Sequence, residues 1–349
     1  MKETVLEVDD LHVRFDRDGQ RVHAVNGLSY HLRAGRTLAI IGESGSGKTV
    51  SSRALMGLLP PTATVSGSGK TVSSRALMGL LPPTATVTGS ARIDGVELIG
   101  LPEEEMREHR GADLAMVFQD PTPSLNPTMR IGSQIIEAVR AHTQVDARTA
   151  KRRALELLSL VRIPDSQRRF HQYPHQLSGG MRQRVMIAIA LASDPKVLIA
   201  DEATTALDVT TQAQIMALLS ELRSRLGTAI ILISHDLGLA ASYADEVIVM
   251  YAGRAVEYAP ARILFGQMRM PYTRALFDAI PRLERESHAL LPVTPGQPPD
   301  LMALPAGCPF HPRCARAKPE CRESRPPFVE HEIGHWWACW NPCKDGEPL

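Results

Sequence analysis

A glycine-rich segment near the N-terminus has the residue types that hold the phosphates of a nucleotide. Residues 42–49 read GESGSGKT, which fits G-x-x-x-x-G-K-[ST] at every fixed position. Glycines let the backbone turn tightly, so that successive N–H groups point at phosphate oxygens. Lys48 can reach the outer phosphates, and the hydroxyl of Thr49 can ligate Mg²⁺. The residues predicted to contact the nucleotide are Gly42, Ser44, Gly45, Gly47, Lys48 and Thr49.

The phosphate loop lies at the start of a stretch of 22 residues that is repeated letter for letter. Residues 44–65 read SGSGKTVSSRALMGLLPPTATV, and residues 66–87 have the same letters, which indicates a recent tandem duplication or a sequencing artefact. Only the first copy follows an apolar strand and has a glycine, Gly42, at the first loop position; the second copy has Thr64 there. A β-branched residue does not readily adopt the backbone angles of glycine. We therefore predict that the first copy binds the nucleotide and that 66–87 is an insertion.

A second segment places two carboxylates at the end of an apolar strand. Residues 197–200 read VLIA and are followed by Asp201 and Glu202. Asp201 is placed to hold Mg²⁺, directly or through water. Glu202 is the natural general base for the attacking water. Alone, this pattern could be an exposed acidic turn, but together with the phosphate loop it predicts hydrolysis of a nucleoside triphosphate.

The string LSGGMRQR at 177–184 is the most specific motif of the chain. Ser178, Gly179 and Gly180 precede a helix-forming run, and a helix N-terminus with free N–H groups and a hydroxyl suits a terminal phosphate. With this motif the chain resembles the ATPases of ATP-binding cassette (ABC) transporters, whose family motif is LSGGQ. Met181 stands where the family has glutamine, and we expect Gln183 to supply an amide nearby.

The resemblance assigns roles to further residues, which follow in the order that the family has them. Gln119 matches the glutamine that contacts Mg²⁺ or the attacking water, and residues 205–208 match the loop that communicates across an ATPase dimer. His235 matches the histidine that contacts the γ-phosphate. Phe15 stands where the family has an aromatic side chain that stacks on adenine, although it could also belong to the core.

The pattern of apolar residues predicts the elements that must position these side chains. Alternating residues at 4–15 and 22–32 indicate a half-exposed antiparallel sheet, and Asp94-Gly95 indicates a turn within 90–98. Short apolar runs separated by helical stretches indicate buried parallel strands at 38–41, 114–118, 197–200, 229–233 and 247–250. The predicted fold is therefore an α/β P-loop NTPase cassette, with a parallel core sheet, an antiparallel β subdomain and a helical subdomain.

The predicted domain organisation has three parts. An ABC ATPase domain covers 1–265 and includes a helical subdomain at about 120–176. The resemblance implies that membrane subunits dock on this subdomain. A linker rich in proline covers 266–306. A small cysteine-rich module covers 307–349.

Composition limits the class of protein. The chain has 349 residues, of which 44% are hydrophobic and 22% charged, as in an ordinary globular protein. Its net charge of +1 gives no argument for nucleic acid. The sequence has no apolar run near 18 residues and no signal-peptide pattern at its start, so we expect a cytosolic chain without a membrane span.

The cysteines are confined to the last part of the chain, which argues for a local metal site. The tail and residues 120–129 resemble the dipeptide and oligopeptide importer ATPases, some of which hold an iron–sulfur cluster in such a tail. The spacing lacks the C-x₂-C pair usual for zinc, whereas four thiolates can bind [4Fe–4S] with irregular spacing, so we predict the cluster with zinc as the alternative. The predicted ligands are Cys308, Cys314, Cys321 and Cys339, with His311, His331 and His335 as substitutes.

The resemblance implies the partners and the location of the chain. Two ATPase subunits, usually related but different chains, close head to tail on ATP, and 178–180 of one act on the ATP of the other. Two membrane permease subunits and an extracytoplasmic peptide-binding protein complete the importer, which places this chain on the cytoplasmic face of the inner membrane. Two alternatives remain open: a soluble ABC ATPase that is not coupled to transport, and a cassette made inactive by the duplication.

Overall fold

The computed structural model describes residues 3–17, 20–43, 45–56, 85–118, 124–204, 207–280 and 294–344. Ser44, Gln119, Thr205 and most of the repeated segment lie outside the described residues, and so do the predictions that fall on them.

The N-terminal part of the chain forms a four-stranded antiparallel sheet in the order β2-β1-β4-β5. Leu6 and Val8 of β1 are fully buried, and after a register shift so are Leu11 and Val13, so side chains alternate inward on both sides of the shift. Asp94 and Gly95, both with positive φ, make the turn between β4 and β5. The strands are β1 (Thr4–Arg17), β2 (Gln20–Arg33), β4 (Ala85–Ile93) and β5 (Val96–Glu97).

The central sheet has eight strands, five of which lie side by side in the order β9-β3-β8-β7-β6. From β9 to β6 all neighbours are parallel, and all residues of β3, β6, β7 and β8 are buried, which explains their uninterrupted apolar sequences. The predicted parallel core is therefore confirmed. Its strands are β3 (Thr37–Ile41), β6 (Leu114–Val117), β7 (Val197–Asp201), β8 (Ala229–Ser234) and β9 (Glu246–Tyr251).

The C-terminal tail adds strands to this same sheet. Strand β10 (Arg254–Pro260) pairs antiparallel with β9 and with β12 (His335–Trp337), and β12 pairs with β11 (Val329–Glu332). The pairing places Trp337 opposite Glu257 and Trp336 opposite Tyr258. The cysteine-rich tail is therefore joined to the core by backbone hydrogen bonds.

Helices cover the central sheet, and three of the described α-helices lie within the range 120–176 that was predicted as a helical subdomain. The described α-helices are α1 (Lys48–Leu55), α2 (Glu103–His109), α3 (Ile131–Ala141), α4 (Ala147–Leu160), α5 (Ser166–Phe170), α6 (Gly179–Ala190), α7 (Val209–Leu226), α8 (Leu237–Tyr243), α9 (Ala261–Gly266), α10 (Pro271–Asp278) and α11 (Glu320–Glu323). Helix α10 lies inside the range 266–306 that the sequence assigned to a linker, and its Tyr272 is fully buried. That assignment is wrong for α10, because its apolar side chains pack into the core.

The two copies of the repeat contribute different elements. The first copy supplies α1, whose Ala54 and Leu55 are buried in the core. The second copy supplies the start of β4, where Ala85 pairs with Phe15 and Val87 with Val13. The insertion predicted over 66–87 is therefore wrong at its C-terminal end, because 85–87 belong to a strand.

Candidate nucleotide-binding site

The phosphate loop joins the end of β3 to α1, at the carboxyl edge of the parallel sheet. Gly42 has a φ of 152°, and a Cβ there would stand 2.3 Å from the carbonyl oxygen of Met250. Gly47 has a φ of 99°, and a Cβ there would stand 2.3 Å from the carbonyl oxygen of Ala24. Both positions exclude a side chain, so a threonine such as Thr64 could not occupy the position of Gly42 in this loop.

Lys48 lies inside the loop with a side chain that is 4% exposed. Its ammonium donates to the carbonyl oxygens of Gly42 and Glu43, at 2.7 and 2.9 Å. Burial lowers the pKa of Lys48 to about 8, while the carboxylates of Glu202 and Asp201 oppose that shift. An entering phosphate would add negative charge at the ammonium and favour its protonated form.

Two of the predicted protein ligands of Mg²⁺, Thr49 and Asp201, lie together. The hydroxyl of Thr49 donates to the Oδ1 atom of Asp201 at 2.8 Å, although 152 residues separate them. Asp201 is 2% exposed, and burial raises its pKa, an effect that Thr49 and Arg53 oppose. A buried carboxylate beside a hydroxyl is an oxygen donor set of the kind that Mg²⁺ takes together with substrate phosphates.

The predicted base and the predicted phosphate-contacting histidine also face each other. Glu202 has a φ of 46°, a conformation that costs a non-glycine residue about 1–3 kcal/mol and is concentrated at functional sites. Its N–H donates to the carbonyl of Ile233 at 3.0 Å, which ties the end of β7 to β8. Its Oε1 atom lies 3.6 Å from Nδ1 of His235, and this carboxylate raises the pKa of the half-exposed histidine. The edge of the sheet thus presents an acceptor for a proton next to a donor for a phosphate oxygen.

Comparisons with known proteins agree with this geometry. The family model for the ABC transporter matches residues 25–64 and 65–205, and the model for the oligopeptide/dipeptide transporter C-terminal region matches 256–321. The chain is 46% identical over 343 residues to an oligopeptide transport ATP-binding protein, OppD, of Escherichia coli, covering 98% of this chain and 95% of the relative. It is 44% identical over 339 residues to the dipeptide transport ATP-binding protein DppD of Bacillus subtilis, covering 97% and 95%. The chain is an ABC transporter ATPase of the oligopeptide and dipeptide importer family.

A solved structure supports the fold of this ABC ATPase. The ATP-binding cassette MJ0796, solved as a dimer in a post-hydrolysis state with ADP and Pi, aligns with a TM-score of 0.61 at 24% identity. The alignment covers 74% of this chain and 99% of that cassette. The cassette fold predicted from the sequence is therefore confirmed.

The signature segment of the ABC ATPase lies at the surface. Ser178 caps α6, with its hydroxyl accepting from the N–H of Met181 at 3.4 Å, and both Ser178 and Gly179 are exposed. The helix N-terminus is thus accessible to a second molecule. Gln183 is 1% exposed and faces the core, so the expectation that it replaces the missing glutamine of the motif is wrong.

Phe15 does not have the environment predicted for it. The ring is 1% exposed and lies in the core of the β subdomain with Leu11, Val13 and Val25. A ring buried to this extent has no free face for adenine, so the stacking prediction is wrong, and the simpler interpretation as a core residue holds. The alternating pattern of β1, which places every second residue inside, already contained this signal.

The four predicted cysteine ligands lie in one neighbourhood. Burial raises the pKa of Cys308, Cys314 and Cys339, the last to about 12, and neighbouring thiols, including Cys321, raise all three further. Within the described ranges, however, no group of three or more histidine, cysteine, aspartate or glutamate side chains is arranged to hold a metal ion. The geometry therefore supports neither the zinc site nor the cluster.

The proposed substitute histidines have other contacts. His335 is fully buried, and its Nε2 lies 2.9 Å from Oε1 of Glu257. His331 stacks on Trp337, and Nδ1 of His311 lies 2.9 Å from the carbonyl oxygen of Cys308. Of these three contacts, that of His335 with Glu257 joins the tail to the core, and the other two lie within the tail.

Sequence reasoning missed one pair that reaches the phosphate loop. Arg313, which lies between Cys308 and Cys314, contacts the carboxylate of Glu43 with both terminal nitrogens. Glu43 occupies a variable position of the phosphate-loop pattern, so the motif gives no reason to select it.

Proposed function

We propose that this chain is the ATP-hydrolysing subunit of an importer for dipeptides or oligopeptides, whose membrane channel is formed by separate permease subunits. The observation that carries the proposal is the contact of Thr49 with Asp201, which joins the phosphate loop to the second carboxylate motif. The near full-length likeness to ATP-binding proteins of oligopeptide and dipeptide transport supports the substrate class.

The side chains suggest the following roles in hydrolysis. Lys48 would hold the outer phosphates, and Thr49 and Asp201 would hold Mg²⁺, which neutralises phosphate charge when bound. Glu202 would accept a proton from the attacking water. His235 would donate a hydrogen bond to the terminal phosphate. We propose that Gln119, which lies outside the described residues, contacts Mg²⁺ or the attacking water.

A second ATPase subunit would complete the site. Ser178, Gly179 and Gly180 lie at an accessible helix N-terminus, which suits the terminal phosphate of an ATP held by the partner. We propose that the partner is a related but different chain. ATP would then favour the closed dimer of the two ATPase subunits, because the closed dimer makes contacts with ATP that the open dimer lacks.

The remaining partners would be two permeases and an extracytoplasmic peptide-binding protein. Of the helices that the structure describes, none is both long enough and apolar enough to cross a bilayer. From the likeness to transport ATP-binding proteins we propose that the chain is a peripheral subunit on the cytoplasmic face of the inner membrane, with its helical subdomain at about 120–176 docked to the permeases.

The experiment is a transport assay with the reconstituted importer in vesicles. ATP hydrolysis and uptake of a labelled dipeptide or oligopeptide should both require this chain. The variant Glu202→Gln should bind ATP but hydrolyse it about 10²–10⁴-fold more slowly, because it lacks the proton acceptor. Hydrolysis that responds neither to peptide nor to the permeases would favour the soluble ABC ATPase, and an inability to bind ATP would favour the inactive cassette.

We also propose that Cys308, Cys314, Cys321 and Cys339 bind one [4Fe–4S] cluster with a structural role. Two observations support this ligand set: the four residues cluster in a short tail, and neighbouring thiols raise the pKa of Cys308, Cys314 and Cys339. Anaerobically purified protein should contain about four irons per chain. One zinc per chain, or protein without metal and with an ordered tail, would contradict the cluster.

A further inference from the structure

The tail and the phosphate loop meet in a bidentate ion pair. Nη1 of Arg313 lies 2.7 Å from Oε2 of Glu43, and Nη2 lies 2.9 Å from Oε1. Two parallel hydrogen bonds between a guanidinium and a carboxylate fix orientation as well as distance. The pair joins residues that are 270 positions apart in the chain.

The arginine side of the pair is held rigidly. Its side chain is 7% exposed, and its Nε donates to the carbonyl oxygen of Pro295 at 3.0 Å. The guanidinium lies over the rings of Tyr251 and Phe310, and Nη1 also donates to the hydroxyl of Tyr251 at 3.3 Å. The hydrogen bonds with Glu43 raise the pKa of Arg313 further, so the guanidinium is a permanent cation.

The glutamate side of the pair is part of the nucleotide site itself. The backbone N–H of Glu43 donates to the hydroxyl of the buried Tyr272 at 2.8 Å. The backbone carbonyl of the same residue accepts from the ammonium of Lys48 at 2.9 Å. A displacement of Glu43 would therefore move an acceptor of Lys48 directly.

Charge gives Arg313 a second effect on the loop. The carboxylate of Glu43 lies close enough to Lys48 to favour its protonated form. Without the arginine, an uncompensated carboxylate would belong to a loop that must accept a polyanion. Arg313 thus both orients this carboxylate and cancels its repulsion of phosphate.

We propose that Arg313 is a positioning residue of the phosphate loop, so that the cysteine-rich tail forms part of the ATP site of this subunit. The inference rests on the nucleotide site proposed above. On this inference the tail affects how tightly ATP binds, in addition to adding strands to the edge of the core sheet.

The test measures binding of a fluorescent ATP analogue and steady-state hydrolysis by the full-length protein. Arg313→Gln should weaken analogue binding and raise KM for ATP about tenfold, with kcat changed less than about threefold, since the loss of one partner of a charged hydrogen bond has about this size. The double variant Glu43→Gln with Arg313→Gln should recover most of the affinity, because it removes the unpaired carboxylate. Arg313→Lys, which keeps the charge, should fall between wild type and Arg313→Gln.

Controls separate this inference from the proposed site and from simple loss of folding. Arg322→Gln removes an exposed arginine of the same tail and should leave binding unchanged. Lys48→Ala should abolish binding; if it does not, the proposed nucleotide site is wrong. If Lys48→Ala abolishes binding while Arg313→Gln lowers only the melting temperature, or if the double variant binds no better than Arg313→Gln, the inference is wrong.

Discussion

The low pKa of Lys48 predicts that ATP affinity falls as the pH rises above 7. In the structure burial lowers this pKa to about 8, well below the value of 10.5 for a free lysine. The phosphates of ATP should return it to its ordinary range or higher, so the bound form keeps the proton. Binding therefore takes up a proton whenever the free protein has lost it, and affinity decreases on the alkaline side of the pKa of the free protein.

The size of the effect follows from the pKa. A group with a pKa of about 8 is about 90% protonated at pH 7 and about 10% protonated at pH 9. If only the protonated form binds well, the dissociation constant should rise about tenfold over this interval, which corresponds to about 1.4 kcal/mol. At pH 8 each ATP bound should take up about half a proton.

Calorimetric titration of the protein with ATP gives both quantities. Measurements at pH 7, 8 and 9 yield the dissociation constant, and two buffers with different ionisation enthalpies at pH 8 yield the number of protons. Lys48→Arg is the matched control, because arginine stays charged over this range and its profile should be flat even if binding is weaker. A constant affinity for the wild-type protein between pH 7 and 9, or no proton uptake at pH 8, would refute the reasoning.

Two further predictions concern the repeat. Lys48→Ala should abolish ATP hydrolysis and Lys70→Ala should leave it nearly intact, since only the first copy follows β3 and has Gly42; an inactive Lys70→Ala protein beside an active Lys48→Ala protein would reverse the assignment. Deletion of 66–87 should preserve or raise the melting temperature, because it leaves one copy to supply both α1 and the start of β4. The deletion product has the same sequence as deletion of 44–65, so failure of this protein to fold would show that the duplicated chain needs both copies.

The sequence alone was sufficient to predict a structural feature where the physical requirement for that feature is local. The parallel strands are buried on both faces and therefore carry uninterrupted apolar runs, which can be recognised without the fold. The phosphate loop needs glycine at two positions, and those glycines mark it in the sequence. Thr49 and Asp201 were both predicted to hold Mg²⁺. The fold brings them together because β3 and β7 belong to one parallel sheet and end at the same edge.

Only the tertiary structure decided which of the predicted site residues are buried. Gln183 was expected near a phosphate because it is close in sequence to Ser178, but the turn of α6 directs it into the core. Phe15 stands at the position in the sequence where the family has an aromatic ring that stacks on adenine, but β1 places this ring on the inner face of its sheet. The sequence shows which residues are close along the chain. The direction of a side chain depends instead on which face of its helix or strand packs against the core.

The tail shows this limit most clearly. From its sequence it is a separate cysteine-rich module behind a proline-rich stretch, far along the chain from the phosphate loop. The fold adds its hairpin to the edge of the core sheet through backbone groups, which have no sequence signature. That pairing and the packing of Phe310 against Tyr251 and Tyr272 bring Arg313 to Glu43. The sequence determined which residues could bind ATP, and the tertiary structure decided that the tail contacts them, because long-range packing is not visible in spacing along the chain.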